Sequence, residues 1–298
     1  MYPAPFEWHR ASSFKDASEA LFALGPDAKL IAGGQTLIPM MKLRLLRPTD
    51  LVDISQVPAA AEIELVDQEL RIGAMARHYA VGISAAVTPY PLLRDCALGI
   101  ADPQVRNMGT IGGGLAEADP SGCWPTLLIG LDAEALCVGR TGERLVKVRD
   151  LLVDAYSPAL EVGEIIAQIR IPRDSLSPTS AYVAFKRSAP AYPTGSCAMS
   201  IVFEGDFIAS LKMGIGCAAL VPYSPPGVEE SVSGERLTPS LIDQIADYAA
   251  EVAEPFDDNR GSAEYKRTLV SALVKRAFSI VEHRRAGSGQ FKTHTYYG

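Results

Sequence analysis

The sequence contains no C-x-x-C pair. Its five cysteines, Cys96, Cys123, Cys137, Cys197 and Cys217, are odd in number and widely spaced, so it spells neither a disulfide framework nor a zinc or iron–sulfur site. It has no basic excess. A net charge of −7 and a pI near 5.2 work against nucleic acid or an anionic membrane as the partner, since both call for a basic face. No apolar run approaches the roughly 20 residues of a membrane helix, and the first residues carry no basic, apolar, small-residue signal pattern. A cytoplasmic chain with reduced thiols and no membrane insertion is expected. The phosphate-loop pattern G-x-x-x-x-G-K-[ST] is absent. The nearest approach to G-x-G-x-x-[GA], Gly214-Ile215-Gly216-Cys217-Ala218-Ala219, runs into Pro222 instead of a helix and reads as a plain strand.

What is present suffices for two compact domains: 298 residues, 48% of them hydrophobic, supply real cores. Lys15 to Leu24 has the apolar spacing of a short helix stopped by Gly25-Pro26. Leu30-Ile31-Ala32 and Leu51 to Ile54 read as strands, with a short helix-like stretch from Leu37 that Thr36 can cap. Ile63 to Ile72 reads as two strands about a polar turn. Tyr79 to Ile100 is helical with a break at Thr88 to Pro91, and Trp124 to Leu131 is an apolar stretch. Strand-like runs follow at Ala133 to Val138, Arg144 to Val148 and Ile165 to Ile171. Pro172 to Ser180, with two prolines, an aspartate and four hydroxyl residues, marks a boundary. Beyond it, Ala181 to Lys186, Ser196 to Glu204 and Phe207 to Ala219 form an antiparallel set. Helices Pro239 to Val252 and Ala263 to Val281 come last, the second with Tyr265, Leu269, Leu273, Ala277 and Ile280 along its stripe. The expected division is 1–175, with lobes of about 1–55 and 56–175, then 176–285, then a flexible tail over 286–298.

Two glycine clusters stand out. Gln104 to Gly114 places four glycines in eleven residues, and Ala32-Gly33-Gly34-Gln35-Thr36-Leu37 repeats the chemistry near the N-terminus. Each cluster taken alone reads as a tight or packed turn. Together they suggest two backbone cradles on one diphosphate, because glycine admits both close approach and positive φ. Thr36 and Thr110 would each add a hydroxyl, and a helix start its dipole.

The run Gln104-Val105-Arg106-Asn107-Met108-Gly109-Thr110-Ile111-Gly112-Gly113, with Ala118-Asp119-Pro120 after it, resembles the FAD-binding medium subunits of the molybdenum hydroxylases. That group includes xanthine dehydrogenase, carbon monoxide dehydrogenase and aldehyde oxidoreductase. Ala32 to Leu37, Arg47-Pro48 through Ile54, Ile72-Gly73-Ala74, Gly163 to Ile166, Ile171-Pro172 and Ala184-Phe185-Lys186 extend the likeness. So do Ser262 to Arg267 and Leu273 to Ala277, and coverage is essentially the whole chain.

The resemblance implies an α+β architecture: a two-lobed FAD-binding domain of the PCMH or vanillyl-alcohol oxidase type, then a small α+β domain with an antiparallel sheet and helices. It implies FAD contacts at Ala32, Gly33, Gly34, Gln35, Thr36, Leu37, Ile100, Thr110, Ile111, Gly112, Gly113, Gly114, Ala118 and Asp119. It also implies a contact from Ile166 to the ring system, Lys186 at the flavin's polar edge and Tyr192 near its face. Cys123 stands where relatives commonly have an acidic FAD contact, Asp119 being its possible substitute, and Glu117 where many have histidine. Asp119 also reads as a helix cap, Tyr192 as a loop aromatic, and His78 as structural. Gly113→Val is expected to abolish flavin retention, whereas Gly214→Ala should leave it nearly intact.

The implied role is an electron-transfer flavoprotein with no metal site and no catalytic acid or base of its own. Molybdopterin would sit on a large partner and two [2Fe–2S] clusters on a small one, as a dimer of heterotrimers. An aldehyde, a purine, an N-heterocycle and carbon monoxide all fit as the substrate of the complex. The rival readings are a free-standing FAD-dependent reductase or oxidase of the same superfamily, and a structural subunit that has lost FAD.

Overall fold

A computed structural model describes residues 2–288 and 292–296, the side chains of 295 and 296 excepted. The first lobe is built on β1 (Glu7–Arg10), α1 (Phe14–Leu24), β2 (Ala28–Ile31), α2 (Leu37–Lys42) and β3 (Asp50–Asp53), its parallel strands ordered β1-β3-β2. Helix α1 starts where the Ser13 hydroxyl accepts from the Asp16 amide at 3.0 Å, and stops at Gly25 with φ 85°. The first turn of α2 begins at Thr36, whose side chain makes no capping bond, contrary to the cap expected there. Ala17, Val52 and Ile54 pack a small core beneath this sheet.

The second lobe holds β4 (Ile63–Val66), β5 (Glu69–Gly73), α3 (His78–Ile83), α4 (Pro91–Gly99), α5 (Pro103–Met108), α6 (Ile111–Ala116) and α7 (Cys123–Gly130). It continues with β6 (Glu134–Gly139), β7 (Gly142–Lys147), α8 (Val148–Leu151), β8 (Leu152–Asp154), β9 (Ser157–Pro158) and β10 (Ile165–Pro172). Its antiparallel sheet runs β4-β5-β10-β6-β7. One continuous core joins this sheet to α4, α6 and α7 through Leu93, Ile111, Leu115, Leu127, Leu128 and Ile169. Helix α7 is buried along its entire length, which explains why its sequence is apolar without periodicity.

The last unit comprises β11 (Ser180–Lys186), β12 (Pro193–Glu204), β13 (Phe207–Gly216), α9 (Val228–Val232), α10 (Pro239–Glu251), α11 (Ala263–Arg285) and β14 (His294–Tyr296). Its sheet order is β13-β12-β11-β14. Gly205, with φ 58°, forms the β12–β13 turn. Val270, Leu273, Val274, Ala277, Phe278 and Val281 of α11 cover the sheet with Met199 and Ile215. Of the stripe expected along α11, Leu273, Ala277 and Ile280 are buried and Leu269 packs against the same core. Tyr265 is exposed, whereas Lys266 is buried, donating to the Phe256 carbonyl and the Asp258 carboxylate, both at 2.9 Å.

Residues 294–296 fall in the stretch expected to be a flexible tail. They pair instead in parallel with Ala184, Phe185 and Lys186. The edge of β11 offers unpaired backbone groups, and a strand from any distance along the chain can satisfy them. The helices α4 and α7 pack on the same sheet. Gly214 lies so close to α7 that a Cβ there would fall 2.2 Å from the Thr126 carbonyl oxygen. The strand assignment of Gly214-Ile215-Gly216 holds, but these glycines are packing residues.

Candidate functional site

A cavity of about 810 Å³ lies where the two N-terminal lobes meet the end of β11. That size is in the usual range for small-molecule and cofactor sites. The segment following β2, the starts of α6 and α7, the end of α4 and the start of β10 contribute its walls.

The first glycine segment leaves β2 at a point where Gly34 needs φ 68°, a conformation that costs glycine nothing. The Gln35 side chain donates to the Gly33 carbonyl at 3.2 Å and braces the turn. Among the described residues, the amides of Gly33, Gly34, Gln35, Thr36 and Leu37 have no protein acceptor. Five successive unclaimed N–H groups at a helix start beside a cavity are the kind of donor set that suits an anion.

The second segment is organised differently. It is helical from Ile111, because Thr110 in extended conformation accepts from the Gly113 amide at 3.2 Å through its hydroxyl. The remaining amides of the first turn are also occupied: Ile111 donates to Ala76 at 3.0 Å, Gly112 to Ala74 at 2.9 Å and Gly114 to Thr110 at 3.0 Å. What this segment offers is room and a hydroxyl proton. A Cβ on Gly113 would meet nothing closer than the Thr110 oxygen at 2.9 Å, whereas one on Gly112 would strike Ala74 at 2.5 Å.

Towards α4 and β11, Lys186 is 1% exposed and donates to the Gly99 carbonyl at 2.6 Å. Ile100 follows as the residue ending α4. Arg106 donates to the carbonyls of Ile100 and Ala101 at 2.7 and 2.9 Å, fixing this corner. Behind α6, the Trp124 indole donates to His78 Nδ1 at 3.0 Å. Burial pushes the His78 pKa down to about 4, so the imidazole is neutral and accepts. This is the structural role expected of it.

Asp119 is buried and accepts from the Ser121 amide at 2.8 Å in a local turn. It does not cap α7, whose N-cap residue is Gly122. Burial raises the pKa of neighbouring Glu117, and the charge of Asp119 adds to that rise. Tyr192 is 48% exposed, with the Arg260 guanidinium 6.0 Å over its ring. Arg260 also reaches the Ser121 hydroxyl, tying the segment before α11 to the one before α7. Beside the turn that enters β10, Arg144 grips Glu164 through two bonds of 2.6 and 2.7 Å. That grip positions the turn leading to Ile166 and, by the Arg144 hydrogen bond first of all, lowers the Glu164 pKa.

Of the residues expected to contact cofactor, Ala32, Gly33, Gly34, Gln35, Thr36, Leu37, Ile100, Thr110, Gly112, Gly113, Gly114, Asp119, Cys123, Ile166, Lys186 and Tyr192 line this cavity. Ile111 and Ala118 do not. Ile111 is fully buried in the core of the second lobe, and Ala118, with φ 51°, accepts from the Tyr156 amide at 2.8 Å. Their neighbours in sequence face the cavity, but helical turning carries Ile111 of α6 away from it, and Ala118 lies past the end of that helix, where its positive φ directs the chain towards Tyr156. Met40, Met75, Trp124, Leu160, Val162 and Pro190 also line it and were missed. Only the nearness of Met75 to Ile72-Gly73-Ala74, and of Val162 to the Gly163 to Ile166 match, pointed towards them.

A glycine-walled cavity carrying a row of free amides is what a dinucleotide-binding flavoprotein requires. Residues 4–174 match the family described as FAD binding domain in molybdopterin dehydrogenase, and residues 180–281 match the CO dehydrogenase flavoprotein C-terminal domain. The chain is 35% identical to the carbon monoxide dehydrogenase medium chain of Hydrogenophaga pseudoflava, over 96% of this chain and 100% of that one. It is 34% identical to the glyceraldehyde dehydrogenase medium chain of Sulfolobus acidocaldarius, over 94% and 100%. The solved carbon monoxide dehydrogenase of H. pseudoflava lacking the Mo-pyranopterin moiety superimposes with a TM-score of 0.90 at 34% identity, covering 95% of this chain and 99% of that one. This chain belongs to the FAD-binding medium subunits of the molybdopterin dehydrogenases. It is a flavoprotein component of an oxidoreductase, with the α+β fold its sequence implied.

Proposed function

We propose that this chain carries FAD between the iron–sulfur clusters of a small subunit and an external electron acceptor, in a cytoplasmic complex that also holds a large molybdopterin subunit. The observation that carries the reading is the row of unclaimed amides from Gly33 to Leu37 on the wall of a cavity of cofactor size. Those amides hold the diphosphate. Gly113 leaves space for its close approach, and the Thr110 hydroxyl, accepting from the Gly113 amide, keeps its own proton to donate. FAD, when bound, supplies one- and two-electron redox chemistry.

The protein's part is position and electrostatics. Lys186 presents a buried cation held by the Gly99 carbonyl, suited to negative charge at a reduced ring. Ile166 and Tyr192 supply apolar and aromatic wall. The chain divides near Pro172 to Ser180, into 1–175 and 176–285, with three chain types assembling as a dimer of heterotrimers. Similar medium chains serve carbon monoxide and glyceraldehyde dehydrogenases, so substrate choice is assigned to the large subunit.

The test is the native complex purified through a tag on this chain. The expected result is flavin absorption that bleaches on reduction, together with molybdenum and iron. A complex without flavin, or with flavin but neither metal, contradicts the proposal.

A further inference from the structure

Residues 292–296 lie along the end of β11 that carries Lys186. Arg276 of α11 donates to the Lys292 carbonyl at 3.3 Å, and the Ala184 amide donates to the Thr293 carbonyl at 3.0 Å. His294 then pairs in register with Ala184. Alternate residues of a strand share a face, so this register puts His294 on the face of Tyr182 and Lys186, and the Tyr182 and His294 rings lie 5.8 Å apart.

On that face His294 meets α4. Gly99 is the last residue of α4, and the three atoms nearest to a Cβ built on it all belong to the His294 imidazole, close enough to overlap. The backbone of Gly99 is not left-handed, so it is the imidazole that keeps a side chain out. The carbonyl of the same residue accepts from the Lys186 ammonium at 2.6 Å. A carbonyl at the end of a helix lacks a partner within it and stands at the negative pole, where a cation suits it. Among the described residues that carbonyl is the ammonium's hydrogen-bond acceptor, which leaves two of its three protons for a ligand in the cavity. Ile100, next along the chain, lines the cavity.

The strap that brings His294 here is lightly held. His294 is buried, yet its Nε2 has no hydrogen-bond partner among the described residues, and an unpartnered buried nitrogen works against the seated position. The imidazole is placed by shape, against Gly99, and by the short pairing with β11.

We propose that β14 is a reversible strap over the Lys186 end of the FAD site and that His294 is its positioning residue. Seated, the imidazole fixes Gly99, whose carbonyl anchors Lys186 and whose neighbour Ile100 forms the wall. Released, it leaves that corner free to shift, and FAD is held less tightly. The inference rests on the reading of the cavity as the FAD site. Coupling of this kind is reciprocal: FAD secures the strap by the factor by which the strap secures FAD.

The first test needs no variant. Hydrogen exchange of the full chain, followed by mass with and without saturating FAD, should be slower by about fivefold or more with FAD in the peptide spanning residues 292–296. Equal exchange in the two states overturns the proposal. The second test titrates FAD into Gly99→Ala, His294→Ala and the double variant. Each single substitution should weaken binding by about fivefold or more. The double variant should bind as His294→Ala does, because the methyl group has room once the imidazole is gone. A His294→Ala chain that binds FAD like wild type, or a Gly99→Ala loss of equal size in both backgrounds, overturns the proposal. The flavin bound to His294→Ala should also have a more negative midpoint potential, since the Lys186 cation is no longer fixed beside the reduced ring. An unchanged potential contradicts the positioning role. A wild-type chain that binds no FAD refutes the FAD reading together with this one, whereas FAD binding without coupling refutes this one alone.

Discussion

Gly33 lies against the main chain of Met108 so closely that a Cβ would fall 2.2 Å from the Met108 carbonyl oxygen and 2.8 Å from the Gly109 Cα. The two glycine segments therefore touch each other as well as the cavity. The first brings free amides, and the second, its amides already bonded, brings Gly113, which has only the Thr110 side chain near it. Gly33 serves the contact between segments and Gly113 serves the cavity, and substitutions at the two should fail differently.

Gly33→Ala should weaken the fold itself, by about 1–3 kcal/mol as expected for overpacking, because the obstructing atoms are backbone. Chemical denaturation with FAD removed would register the loss. An unaltered midpoint would show that the segments separate freely.

Gly214→Ala, expected to leave flavin retention nearly intact, should still cost stability. The new methyl group would meet the Thr126 carbonyl at 2.2 Å and the backbone of Gly130 at 3.0 Å, so α7 and β13 must move apart. A loss of about 1–3 kcal/mol is expected, read as a lowered denaturation midpoint.

Stability should decline in acid through His78. Burial lowers its pKa to about 4 from the ordinary 6.5, so the unfolded chain takes up this proton first as pH falls. The contribution is complete above pH 6.5 and is lost as pH falls towards about 4. The gap of 2.5 between those values corresponds to about 3 kcal/mol. His78→Gln should flatten the pH dependence of the denaturation midpoint across that window. An unchanged slope would show that His78 is not the group responsible.

Arg284→Met should be costly. Arg284 in α11 donates to Asp95 in α4 at 2.7 and 3.0 Å, with the two side chains only 12% and 11% exposed. Burial pushes the Asp95 pKa up and the Arg284 bond opposes it. Removing the cation strands a buried carboxyl, at a cost of about 3–5 kcal/mol. Urea denaturation of the variant against wild type measures it, and a difference near zero would show that solvent reaches the pair.

Local chemistry made much of this architecture readable. Gly25-Pro26 ended α1, Gly205 turned β12 into β13, and apolar spacing located the sheet strands. Short elements defined by distant partners escaped. Strand β1 is four residues long, with Trp8 48% exposed, and offers no one-sided apolar pattern. Strand β14 exists because β11 has an open edge. Helix α5 did carry a local signal, Asp102 accepting from the Val105 amide ahead of Pro103, but the glycines beside it drew the reading towards loop.

At the site, the glycines and Lys186 were legible from motif. The asymmetry of the two segments was not, because it depends on whether amides meet carbonyls of Ala74 and Ala76, residues far away in sequence.

The most direct measurement is FAD titration of the cofactor-stripped full chain, wild type beside Gly113→Val, followed by quenching of flavin fluorescence, with thermal melts of both stripped chains. The account predicts saturable binding of one FAD by wild type, none by Gly113→Val, and matching melts. Equal FAD binding by the two chains would contradict it.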